Sequence, residues 1–151
     1  MTTALVLLAA FRLLHVVSMA TWLAASLWLA GDARRSLAAG AGEARAFVAR
    51  ARAALRLDRI AGAATIVSGG ALLHFAHAWP PRAGLVLGMA LAVVRAGLTD
   101  AVLAPGVRSI AAGLEGGQPP ASLAPRARRL AAVSGVGHLA WLGALAGMLP
   151  W

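Results

Sequence analysis

The chain carries four histidines, His15, His74, His77 and His138, and all of them fall inside long apolar runs. Neutral imidazole is a good ligand for iron or copper, and lipid tolerates it far better than a charge. Arg12, Arg95 and Asp100 are the other ionisable candidates within those runs. Ionisable groups are costly at membrane depth, so they face the bundle interior and often mark function. Cysteine is absent. That excludes disulfides, thiolate nucleophiles, Cys-ligated metals and covalently attached c-type haem. No HExxH, nucleophile triad or phosphate loop occurs, and Ser68-Gly69-Gly70 reads as helix packing because no strand precedes it. Histidine ligation of a metal centre is the chemistry that remains.

Arg12, His15, Met19, Trp22 and Ser26 recur at i+3 and i+4 steps, so they form one stripe of a helix. Ser134, His138 and Trp141 stack in the same way, and Gly70, His74 and His77 share a face. Glycine beside a histidine leaves room for a flat macrocycle or a close helix neighbour. With a rise of about 1.5 Å per residue, His15 and His138 are expected within roughly 6 Å of each other in depth. His74 and His77 are expected roughly 10–14 Å nearer the outer face. Two arrangements stay open. His15 and His138 sandwich a haem b near mid-membrane, or His74 partners one of them closer to the outside. Arg12 can pair a haem propionate, since guanidinium forks a carboxylate. A plainer reading stands beside each: hydrogen bonding across helices at about 0.6–2 kcal/mol for His15 and His138, and solvation at the interface for His74 and His77. Arg95 reads as a snorkelling side chain or a donor to a backbone carbonyl, and Asp100 as an interfacial acid.

These side chains need long apolar elements to position them, and the composition supplies such elements. Of 151 residues, 60% are hydrophobic and 13% charged, against about 45–50% and 25% in soluble domains. Disorder is excluded and an integral membrane protein is expected. Spans of about 20 residues fit four times. The apolar runs predict helices over 4–30, 57–78, 83–104 and 130–149, in a single all-α four-helix transmembrane bundle. Pro80-Pro81 and Pro105-Gly106 mark two of the breaks.

The formal charge is +9, and every basic residue is an arginine. Arginines crowd one interval from Arg34 to Arg59 and another from Arg108 to Arg129, while the connection around Pro80-Pro81 offers only Arg82. This alternation follows the positive-inside rule. It makes the two rich intervals cytoplasmic loops and puts both termini on the outer, periplasmic side of a bacterial inner membrane. Trp79 and Trp151 would then sit at the outer interface, where indole rings favour the headgroup zone. The charge serves topology, so no nucleic-acid partner is expected. The same loops can hold anionic lipid headgroups at about 1 kcal/mol per arginine.

The run Phe11-Arg12-Leu13-Leu14-His15-Val16-Val17, then Thr21-Trp22-Leu23-Ala24 and Arg34-Arg35, resembles the first helix of a known membrane family. That family includes the HemJ-type protoporphyrinogen oxidases and the CopD-like copper-resistance membrane domains. Arg56-Leu57-Asp58-Arg59-Ile60 at the start of the second span and the closing Met148-Leu149-Pro150 look similar too. The likeness to HemJ-type proteins implies haem b, His15 as its helix-one ligand, and oxidation of protoporphyrinogen. Those proteins have a functional lysine near the start of helix three, where this chain has Arg82. Arginine can hold a propionate but cannot act as a base. The CopD-like likeness implies copper, with His74 and His77 at the outer face. The resulting expectation is a haem b protein for electron transfer or porphyrinogen-type oxidation, with Arg12 and Arg82 as propionate anchors. The alternatives are copper handling and a cofactor-free accessory subunit. The expected partners are the bilayer, a porphyrin-type ligand, and further copies of the chain or a larger membrane complex.

Overall fold

The computed structural model describes residues 3–75 and 82–148. His77, Trp79, the Pro80-Pro81 pair and Trp151 lie outside the described residues. Within them the chain is helical: α1 (Thr3–Leu27), α2 (Leu29–Ala39), α3 (Ala41–Phe75), α4 (Ala83–Leu98), α5 (Ala104–Glu115) and α6 (Ala124–Met148). A π-helical turn, Thr99–Leu103, joins α4 to α5, and a 3-10 turn, Pro120–Leu123, leads into α6. The widened turn sits just before Pro105, which has no N–H to continue the ordinary ladder.

The intervals 31–56 and 105–129, expected as cytoplasmic loops, the first with helix-compatible spacing after Gly42, are helical over most of their length. Their alanines, arginines and leucines are strong helix formers, and each new helix has an apolar stripe to bury. Gly40, at φ 115°, lets α2 reverse into α3 with a single intervening residue. α2, the first half of α3, α5 and the start of α6 then close around Leu29, Phe47, Leu55, Val107, Ile110 and Leu123.

Exposed large apolar side chains divide the molecule in two. They occur at positions 5–28, 57–75, 86–94 and 136–142, and among the described residues none occurs at 29–56 or 95–135. Leu13, Ile60, Val67 and Leu139 are 67–70% exposed. In water each such side chain would forgo about 1.5–3 kcal/mol of burial. A belt of them on all four long helices therefore suits lipid. The other half exposes Arg34, Arg35, Arg45, Arg52, Arg108 and Arg129. Three helical stretches, Leu5–Ala39, Ala83–Glu115 and Pro120–Met148, are long and apolar enough to cross a membrane. α3, which carries Asp58 and Arg59, is not among them.

In the apolar half the helices pack as two antiparallel pairs, α1 with α3 and α4 with α6. The second pair is in backbone contact. A Cβ on Gly84 would lie 2.7 Å from the Gly147 carbonyl oxygen, and one on Gly88 would lie 2.9 Å from that of Ala144. Glycine at these positions permits the approach that small-residue helix interfaces exploit.

Candidate functional site

His15 sits in the seam between α1 and α3. Its Nδ1 is 3.0 Å from the Thr65 carbonyl oxygen and 3.0 Å from Ser68 Oγ. A carbonyl can only accept, so Nδ1 carries the proton. The Ser68 hydroxyl spends its own proton on the Ala64 carbonyl and receives the imidazole N–H with its lone pair. Nε2 is thereby left with a free lone pair and forms no hydrogen bond among the described residues. Donating the second ring nitrogen to a backbone carbonyl is the arrangement by which proteins orient metal-ligating histidines. Gly69 makes room for the ring: a Cβ there would come within 3.1 Å of His15 Cε1. Ser18 and Thr65, bonded to each other at 3.0 Å, continue the polar seam one turn farther along.

The strongest polar cluster lies where the apolar half meets the arginine half. Arg95 and Asp58, 2% and 1% exposed, form an ion pair with Nη2 2.7 Å from Oδ1. Thr99 donates to Asp58 Oδ2 at 2.8 Å. The same Arg95 nitrogen donates to Ser26 Oγ at 2.8 Å and to the Trp22 carbonyl at 3.2 Å. The guanidinium lies 4.9 Å from the centroid of the Trp22 ring. Trp22 is itself buried because Gly62 has no side chain; a Cβ there would fall 2.8 Å from the indole. One arginine of α4 is thus tied to α1 and α3, which locks the two helix pairs together. Beside it, exposed Arg59 and Asp100 pair at 2.6 Å. Arg95 does bond a backbone carbonyl, as expected, but it is a buried ion-pair partner and does not snorkel.

The other candidates divide between two depths. Helix register gives the levels: Gly62 meets Trp22 and Gly69 meets His15, Trp22 clusters with Ala92, and Gly137 meets the Arg95 stem. At about 1.5 Å per residue, Arg12, His74 and Arg82 fall within about 3 Å of one another in depth. All three are exposed, one to two turns beyond His15. His138 falls at the opposite side, about 13 Å deeper than His15 before tilt, beside Arg95 and Asp58. The roughly 6 Å expected from the sequence assumed spans centred on one plane, whereas α1/α3 and α4/α6 are staggered. A His15–His138 pair about a single iron does not suit this register. His138 Nε2 is buried without a partner, as are Trp22 Nε1, Arg95 Nε and Ser134 Oγ. Of these residues only Trp22 borders the cleft of about 260 Å³ that Asp58, Gly62 and Thr99 also line.

Among the described residues no group of three or more His, Cys, Asp or Glu side chains converges on a metal position. The copper reading rests on His74 and His77. His74 is exposed, and His77 lies outside the described residues. Sequence reasoning missed Asp58, Thr65 and Ser68. The signal was present: they recur at i, i+7 and i+10 within an apolar run, on one helical face. No family model, curated protein or solved structure matches the chain.

Proposed function

We propose that this chain is a four-span protein of a bacterial inner membrane that binds haem b through His15. Its role is electron transfer or oxidation of a porphyrinogen-type substrate. The observation that carries the reading is the His15 tautomer: Nδ1–H is held by the Thr65 carbonyl and Ser68, so Nε2 offers its lone pair from a fixed ring. Bound haem supplies one-electron redox chemistry. Thr65 and Ser68 orient the ligand, and the surrounding apolar belt keeps water from it. Arg12 and Arg82, at a common depth toward the outer end, suit the propionates. The fourth span is the second half of α3, supported by exposed Ile60, Ile66, Val67 and Phe75. The arginine half then lies in the cytoplasm, and the start of α1 and end of α6 face outward. His138 lies at the depth of Arg95, about 13 Å from His15, and is not a ligand in this reading.

The test is a reduced-minus-oxidised absorption spectrum of the full chain purified from haem-supplied cells. The wild type and His138→Ala are expected to show a reducible Soret band, and His15→Ala to lose it. A wild type without the band, or a band that survives His15→Ala intact, overturns the reading.

A further inference from the structure

The structure assigns a second ligand site, in the arginine half, to the phosphate headgroup of an anionic phospholipid. A cleft of about 390 Å³ lies between α2 and the start of α6. Arg34 and Arg128 form its charged walls, and Leu37, Ala121, Ala124 and Ala127 its apolar surface. Both arginines are exposed, and neither has an ion pair or hydrogen bond among the described residues. No acid lines the cleft; Asp32 accepts from Arg50 at 2.9 Å, Glu43 lies 3.9 Å from Arg50, Asp100 pairs with Arg59 and Asp58 with Arg95, and Glu115 forms no ion pair among the described residues. Two cations on a cleft that no acid lines among the described residues suit an external anion.

Position selects a lipid as its source. Trp28 and Val136 mark the end of the exposed apolar belt on their helices. Arg34 lies six residues past the first and Arg128 eight residues before the second, hence about 9–12 Å beyond the belt. Headgroups occupy about 5–7 Å on each side of the hydrocarbon core, and an arginine stem reaches back across the difference. The apolar cleft surface suits the glycerol and first methylenes of a lipid better than a fully hydrated ion. Basic pockets between helices on the cytoplasmic side are where anionic headgroups bind.

This inference rests on the membrane-spanning reading, and the experiment separates the two. The full chain is first reconstituted into phosphatidylcholine vesicles; failure of the wild type to resist carbonate extraction overturns the spanning reading and this site with it. The detergent-solubilised chain is then titrated calorimetrically with dioctanoyl phosphatidylglycerol, dioctanoyl phosphatidylcholine and inorganic phosphate. The wild type is expected to bind phosphatidylglycerol at least about tenfold more tightly than the other two. Arg34→Gln with Arg128→Gln is expected to weaken that binding about 10- to 30-fold, at about a factor of five per arginine. Arg45→Gln with Arg52→Gln, equally exposed and away from the cleft, is expected to change it less than twofold. Ala121→Glu, an exposed cleft position, should reproduce the loss without removing an arginine. Equal weakening by both arginine pairs, indifference to Ala121→Glu, or phosphate binding as tight as lipid binding overturns the site.

Discussion

At Asp58 the carboxylate is almost wholly removed from water, and Arg95 and Thr99 are what make that burial tolerable. Breaking such a pair from one side leaves an uncompensated charge and costs about 3–5 kcal/mol. Asp58→Leu or Arg95→Met alone is therefore expected to destabilise the protein by that amount. The double variant should recover most of it, because apolar replacement of both partners is often neutral. A double-mutant cycle in detergent-mediated unfolding checks this; additive losses would contradict it. Sequence reading reached His15 because its stripe repeats cleanly along one helix. It did not reach Asp58, which sits among Arg56, Arg59 and Ile60 and reads as part of a basic approach to the second span. The hydroxyls of Thr65 and Ser68 were equally hard to weigh, since a helical Thr or Ser commonly bonds its own backbone. Both here also do so.

Among the elements, the α4–α6 seam is the least forgiving. Gly84→Val would push a side chain against the Gly147 carbonyl, which is backbone and cannot turn aside. Overpacking of this kind costs about 1–3 kcal/mol. Gly70→Ala is the matched control: a Cβ there meets nothing within 4 Å, and helical propensity favours it by about 0.5–1 kcal/mol. A lowered melting temperature for Gly84→Val beside an unchanged or raised one for Gly70→Ala is the expected outcome. Equal effects would mean that the seam is not the constraint. The apolar runs announced the long helices, but Pro105-Gly106, expected as a break, lies inside α5, which continues from α4 through the π-helical turn, and Pro80-Pro81 lies outside the described residues. The extents of α2, α3 and α5 were less visible. Their arginine-rich surfaces resemble solvated loops until the buried stripe of Leu37, Phe47, Leu55, Val107 and Leu114 is traced.

For the whole molecule, exposed large apolar side chains fall on one half and exposed arginines on the other, and the proposed orientation follows from that division. The chain has no cysteine, so single introduced thiols report sidedness without background. Ser122→Cys, in the arginine half, is expected to react with an impermeant maleimide only from the cytoplasmic side. Ala83→Cys, at the opposite end, should react only from outside. Labelling of both from one side would contradict four crossings. The all-helical class was legible from composition alone. The stagger of the two helix pairs was not, because spacing within a helix carries no information about its offset from a neighbour. That offset separates His138 from His15, so the proposed ligation rests on His15, whose Nδ1 is held by Thr65 and Ser68. The most direct test removes that ring and replaces it from solution. His15→Gly is expected to abolish the Soret band, and added imidazole to restore it. A band unaffected by His15→Gly, or one that imidazole fails to restore in a folded variant, would contradict haem ligation at this position.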